Sequence, residues 1–129
     1  MIRLNNIVAT YTTQRGQVNA VDGVNLEIPS GIILGIAGES GCGKTTLMKA
    51  IYGDIGYPLA LSRGSVDYGF SDANGQPVTT ANIQQQWFRR ISYIPQSSMN
   101  SMNPVMRIRK QFVDFLPRGE DKAAVLERV

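Results

Sequence analysis

The 129-residue chain contains no histidine. Imidazole acid–base catalysis and histidine metal sites are therefore excluded within these residues. There is a single cysteine, Cys42, so no internal disulfide can form, which fits a reducing compartment. Charged residues make up only 18% of the chain and the net charge is +3. With no dense run of Lys or Arg, no nucleic-acid partner is expected. No apolar run is long enough to span a bilayer, and the first residues do not follow a signal-peptide pattern, so the chain is expected to be soluble and cytoplasmic. Internal repeats and low-complexity stretches are also missing. What remains is 43% hydrophobic, the composition of a globular domain or of part of a larger one.

One stretch stands out against this background. Gly38-Glu39-Ser40-Gly41-Cys42-Gly43-Lys44-Thr45-Thr46 has the spacing of a phosphate-binding loop: glycine, four residues, glycine, lysine, then a hydroxyl residue. Phosphates must be wrapped by backbone N–H groups, which demands close approach and unusual backbone angles, hence Gly38, Gly41 and Gly43. A helix beginning near Gly43 would aim its free N–H groups and positive dipole end at the same anion. Lys44 offers a mobile charge for the β- and γ-phosphates. Thr45 offers a hard oxygen suited to Mg²⁺, and Thr46 a hydroxyl for a phosphate oxygen nearer the ribose. The preceding Gly31–Ala37 is apolar and β-branched enough to predict a buried strand, and Leu47–Tyr52 has helical spacing. Strand, glycine loop and helix together point to a nucleotide.

The remaining chain fills in around this unit. Ile2–Tyr11 predicts a strand with irregular alternation. Val18–Pro29, with Val24, Leu26 and Ile28 alternating with polar residues, predicts a half-buried strand. These two strands form an antiparallel layer ahead of the loop. Gly64–Phe70 predicts a strand with Val66, Tyr68 and Phe70 on one face, followed by an Asn74-Gly75 turn. Thr80–Arg90 predicts a short helix, with Trp87 and Phe88 packing, and Ile91–Ile94 a short strand. Pro95–Asn103 is a loop. Pro104 opens a helix carrying Val105, Ile108, Phe112 and Phe115, with Arg107, Arg109 and Lys110 on a solvated face. Glu120–Val129 begins another helix.

These residues resemble the ATP-binding subunits of ABC transporters. The segment Gly31–Thr46 is similar to that family's strand and phosphate loop, including the inner Gly41. Ile91-Ser92-Tyr93-Ile94-Pro95-Gln96 resembles its strand into the Q-loop, with Gln96 as the family glutamine. Tyr11 stands where the family places an aromatic that stacks on adenine, and Val18 would also touch the base. Gly38–Gly41, Gln17–Val24 and Asn100-Ser101-Met102-Asn103-Pro104 narrow the likeness to dipeptide, oligopeptide and nickel importers. Where those members have Phe and Asp-Pro around the glutamine, this chain has Pro95 and Ser97-Ser98.

The resemblance implies an α/β P-loop NTPase core of ABC type with an N-terminal antiparallel β layer. Residues 1–95 would form the nucleotide-binding core, and 96–129 the Q-loop and the start of a helical subdomain. It further implies ATP and Mg²⁺ as cofactors, with nucleotide held by Tyr11 and by Gly38, Glu39, Ser40, Gly41, Cys42, Gly43, Lys44, Thr45 and Thr46. Metal would be held by Thr45 and Gln96. The partners would be a second nucleotide-binding subunit, like or unlike, and transmembrane permease subunits met through the Q-loop region, where Met99, Met102 and Met106 cluster. The location would be peripheral, on the inner face of the cell membrane, and the activity import of peptides or similar small solutes.

No Leu-Ser-Gly-Gly-Gln-like signature occurs in the 129 residues, and the family's Walker B aspartate, catalytic glutamate and switch histidine fall downstream of the Q-loop. The chain is therefore expected to bind nucleotide weakly at best, to hydrolyse none by itself, to lack the Walker B strand beside its central strand, and so either to self-associate or to have arisen by cleavage of a longer chain. Two other readings stay open. A P-loop kinase would need an Arg-rich lid and a downstream Asp. A non-catalytic nucleotide-binding module would need only the residues present.

Overall fold

A computed structural model describes residues 1–96 and 102–115. The chain divides into two compact units, Met1–Ser92 and Tyr93–Val129.

The first unit is built on a four-stranded antiparallel sheet of order β2-β1-β3-β4. Its strands are β1 (Ile2–Thr13), β2 (Gly16–Ile28), β3 (Leu59–Ser71) and β4 (Pro77–Thr79). β1 and β2 form a hairpin, as the alternation predicts, with Leu4 opposite Leu26 and Tyr11 opposite Val18. The irregular alternation of β1 has a local cause. Its register slips between Asn5 and Val8, where Asn6 takes a left-handed conformation (φ 49°) and its N–H donates to Asn25 Oδ1 at 2.9 Å. This bulge lets the consecutive Ile7, Val8 and Ala9 all be buried, which a regular strand would divide between two faces. Gly64 lies across from the bulge at φ 91°; a Cβ there would sit 2.4 Å from the Asn6 carbonyl oxygen.

Helix α1 (Lys44–Tyr52) packs on this sheet. Ala50 and Ile51 join Leu4, Val21, Val66 and Tyr68 in the core. The buried Tyr68 hydroxyl donates to the Ile51 carbonyl at 2.7 Å, tying β3 to the end of α1. α1 then stops at Gly53 (φ 79°), whose N–H returns to Lys49 and Ala50 carbonyls, a glycine C-cap. Burial pushes the Tyr68 phenol well above its usual range. The phenolate is thus disfavoured in the folded state relative to the unfolded chain, where ionisation occurs near about pH 10. The stability this linkage preserves is complete below that pH and is lost as pH rises above it. Thermal melts across the alkaline range should show a steeper fall for the wild type than for Tyr68→Phe; parallel curves would show that the hydroxyl is not buried in solution.

The Asn74-Gly75 turn forms as predicted, with Asp72 Oδ1 accepting from the N–H groups of Asn74 and Gln76 and Gly75 at φ 76°. Three other expectations are corrected. Thr80–Arg90 yields only a single 3₁₀ turn, Ile83–Gln86, because Ile83 is the one residue of that turn drawn into the core. Ile91–Ile94 is not a strand; Ile91 makes an isolated bridge to Trp87. Gly31–Ala37 is not a strand either. It has no strand partner among the described residues, and Ile33 is fully exposed. Its composition suits a parallel sheet, but a strand exists only where a neighbour supplies its hydrogen bonds.

Trp87 packs as expected. It stacks flat on Tyr52 with ring centroids 4.7 Å apart and donates its indole N–H to the Tyr52 carbonyl at 2.9 Å. Phe88 stays outside the core: it is 73% exposed and sits at φ 62°, which a bulky residue rarely adopts. Its N–H is held by the Ile91 carbonyl at 2.9 Å, so the turn closes in spite of the side chain.

In the second unit, α2 (Ile108–Phe115) begins four residues after Pro104, which lies in a turn before it. Arg107, Arg109 and Lys110 are exposed, as their pattern predicts. The expected helix from Glu120, and Met99, lie outside the described residues.

Candidate functional site

The glycine loop lies between the Gly31–Ala37 segment and α1, and the first unit brings Gly38 through Thr46 together at one end of the sheet. Gly41 and Gly43 have φ of 81° and 94°, as the motif requires. Gly43 is also the N-cap of α1 and offers no side chain to cap it. The first intrahelical bond runs from Leu47 N–H to the Gly43 carbonyl at 2.8 Å. Amides earlier in the first turn have no helical acceptor, and no acidic side chain lies in that turn. The end of α1 thus presents unused donors and no competing anion, the arrangement that binds phosphate.

Lys44 shows what the loop does on its own. Its ammonium donates to the Gly38 carbonyl at 2.8 Å and the Glu39 carbonyl at 2.5 Å, and lies 3.4 Å from Cys42 Sγ. The cation is folded back into the loop, bonded to neutral carbonyls. A phosphate arriving at the loop would offer it charged acceptors instead, which hold an ammonium more strongly. A Cβ on Gly38 would sit 2.8 Å from the Cys42 sulfur, so a larger residue there would make the exposed Cys42 side chain turn away.

Thr45 is exposed, its hydroxyl accessible to a cation. Thr46 is buried, with its hydroxyl 3.5 Å from the Tyr11 hydroxyl. Tyr11 is half-buried beside the core, and its cross-strand partner Val18 is 55% exposed. The hairpin therefore sets an aromatic and an aliphatic side chain side by side at the edge of the helix-covered face, next to the loop helix. Glu39, Ser40 and Cys42 are exposed. Gln96 is exposed in a turn of the second unit.

Sequence reasoning missed the floor of the site. A cleft of about 270 Å³ runs under the loop, lined by Ala20, Val21, Asp22, Ile36, Cys42 and Lys44. The Ala20 carbonyl of β2 lies 2.2 Å from where a Cβ on Gly43 would be. The small side chain at position 20 is the one sequence signal for this close approach. A second, apolar cleft of about 310 Å³ separates Val24 and Leu26 from Leu34 and Ile36, the space that a laid-down strand would close.

The model of the family described as ABC transporter matches residues 21–129. The chain belongs to the ABC transporter family. Its curated relatives include the oligopeptide transport ATP-binding protein AmiE of Streptococcus pneumoniae. That protein is 29% identical over 123 residues, covering 92% of this chain and 33% of AmiE. The oligopeptide transport ATP-binding protein OppD of Bacillus subtilis is 31% identical, covering 93% of this chain and 33% of OppD. The osmoprotectant import ATP-binding protein OsmV of Salmonella typhimurium is 33% identical, covering 99% and 31%. This ABC-family chain thus spans about a third of the length of these relatives. Among its described residues no helix is long and apolar enough to cross a membrane. Nor do they hold a cluster of three or more Cys, Asp or Glu able to bind a metal.

Proposed function

We propose that the chain is the phosphate-gripping part of an ATP-binding subunit that couples ATP to import of oligopeptides or similar small solutes. The observation that carries this reading is the loop itself: open first-turn amides at α1, a glycine-only closure, and a lysine resting on carbonyls within reach of an incoming anion. Lys44 turns from Gly38 and Glu39 to the β- and γ-phosphates, and the amides of the α1 first turn hold the same oxygens. Thr45 would offer its hydroxyl oxygen to Mg²⁺. When bound, Mg²⁺ neutralises charge on the phosphates. Tyr11 and Val18 form the adenine platform.

The relatives' printed roles, oligopeptide transport and osmoprotectant import, support import of a small solute; membrane permeases and a second nucleotide-binding subunit would be the partners, at the inner face of the membrane. The 129 residues hold nucleotide without hydrolysing it. They also self-associate through the unpaired, apolar Gly31–Ala37 segment.

Equilibrium titration with a fluorescent ATP analogue and Mg²⁺ tests the reading. Binding should be saturable, competed by unlabelled ATP, and weakened about ten- to a hundredfold in Lys44→Ala, the value of a lost charge-assisted bond. Binding that is indifferent to this substitution would sink it. Phosphate release by the purified chain should stay at the level of Lys44→Ala; lysine-dependent turnover would refute the non-hydrolytic part.

A further inference from the structure

The two ends of α1 are held in opposite ways. At its start Gly43 supplies no side-chain cap, and the first-turn amides are left for a phosphate. At its end every carbonyl from Lys49 to Gly53 has a donor. The Gly53 and Asp54 N–H groups return to the Lys49 carbonyl at 2.9 and 3.0 Å, and the Gly53 N–H also reaches the Ala50 carbonyl at 3.3 Å. The next three carbonyls each take a side-chain donor from elsewhere in the first unit. The Tyr68 hydroxyl of β3 donates to Ile51 at 2.7 Å, the Trp87 indole N–H to Tyr52 at 2.9 Å, and the Gln84 Nε2 to Gly53 at 3.3 Å.

Two of these donors belong to the Ile83–Gln86 turn and the residue after it, and that segment presses on the helix end. Ile83 is completely buried, and a Cβ on Gly53 would run into its Cγ2. The Trp87 ring lies flat on Tyr52, the last residue of α1, with the two planes 2° apart. α1 has nine residues, a length of about 13 Å, too short to persist on backbone bonds alone. Only Thr46, Ala50 and Ile51 of its side chains are buried. Their packing sets how far the helix stands from the sheet. Sliding along the helix axis, or turning about it, is resisted chiefly by bonds at the ends. The phosphate end has to stay open, so the C-terminal end carries that restraint.

We infer that Trp87 and Gln84 are positioning residues for the phosphate site: they grip α1 by its terminal carbonyls and so hold its first-turn amides and Lys44 where phosphates arrive. The inference rests on the nucleotide reading above. Neither residue touches the ligand; each acts through the helix. Trp87 grips with its ring as well as its N–H and has the larger effect. By linkage, a ligand that needs the gripped helix strengthens the grip by the same factor.

Trp87 is the single tryptophan, so its indole N–H gives one resolvable signal. The test titrates the whole chain with ATP and, separately, with inorganic tripolyphosphate, each with Mg²⁺. Wild type, Trp87→Phe and Gln84→Leu are compared well below their melting temperatures. Trp87→Phe keeps an aromatic ring against Tyr52 and removes the donor. It should weaken both ligands about fivefold, the net worth of one hydrogen bond, and Gln84→Leu should weaken both about threefold. In the wild type, solvent exchange of the indole N–H should slow about fivefold at saturating tripolyphosphate, with no slowing in Lys44→Ala. A lower melting temperature with both affinities intact in Trp87→Phe would overturn the inference and leave the nucleotide reading standing. Weaker ATP binding with undiminished tripolyphosphate binding would overturn it too, because the effect would then lie at the base. Wild-type indole exchange indifferent to saturating tripolyphosphate would overturn it without any substitution. A wild type that binds neither ligand would overturn the nucleotide reading, and the inference with it.

Discussion

Gly43→Ala is expected to abolish nucleotide binding and to destabilise the first unit. Two independent causes act at this position. The backbone is left-handed, φ 94°, which costs a side-chain-bearing residue about 1–3 kcal/mol. The added methyl would lie 2.2 Å from the Ala20 carbonyl oxygen of β2, and neither partner can yield, since both are backbone. The loop would have to lift off β2, turning the amides of the first α1 turn away from the phosphate position and moving Lys44 with them. Loss of about 3 kcal/mol or more of stability is the expected scale, as for other changes at a strained, crowded glycine. Denaturant unfolding and the ATP titration read the two effects separately. Gly41→Ala is the natural comparison: its φ is 81°, but an added Cβ there meets nothing within 4 Å. It should therefore show the backbone penalty alone. Equal losses in the two variants would show that the close approach to Ala20 does not exist in solution.

The second large effect is expected at Ile33. This side chain is fully exposed, and Ile32, Leu34 and Ile36 around it are 50%, 41% and 38% exposed. No charge interrupts the run from Pro29 to Gly38. Such a segment, with backbone groups that make no strand pairing among the described residues, is a template for pairing with another copy. Light scattering should show a mass that rises with concentration. Ile33→Lys should weaken the association about ten- to a hundredfold, the worth of burying one isoleucine side chain, before any repulsion between the new charges is added. Because Ile33 contributes no burial within the first unit, the melting temperature should not fall. A wild type that stays monomeric over the whole range would remove the argument, and a variant that unfolds would show that Ile33 is packed in solution.

These two positions mark the division between what was legible in the residues and what was not. Gly43 could be read from the spacing of the motif, because phosphate binding fixes residue types over a short, continuous stretch, and local rules suffice for a local structure. The β1–β2 hairpin, β3 with Val66 and Tyr68 turned inward, the Asn74-Gly75 turn and α1 were legible for the same reason: alternation, helical spacing and turn chemistry act within a few residues. Gly31–Ala37 was misread because its composition reports the sheet it suits, whereas its structure depends on neighbours far away in the chain. Phe88, read as a packing residue, stays largely exposed because the turn closed by the Ile91 carbonyl holds it in the left-handed region.

The sequence by itself determined the family to which the chain belongs and, through it, a nucleotide as the ligand, since those depend on residue types at short fixed intervals. Only the tertiary structure decided what surrounds the glycine loop. It set the β2 carbonyl under Gly43, rested the Lys44 ammonium on the loop's own carbonyls, and paired Tyr11 with Val18. Each is a contact whose partners are brought together by folding, through register, packing and the satisfaction of buried polar groups, and none of these forces leaves a periodic mark on the chain.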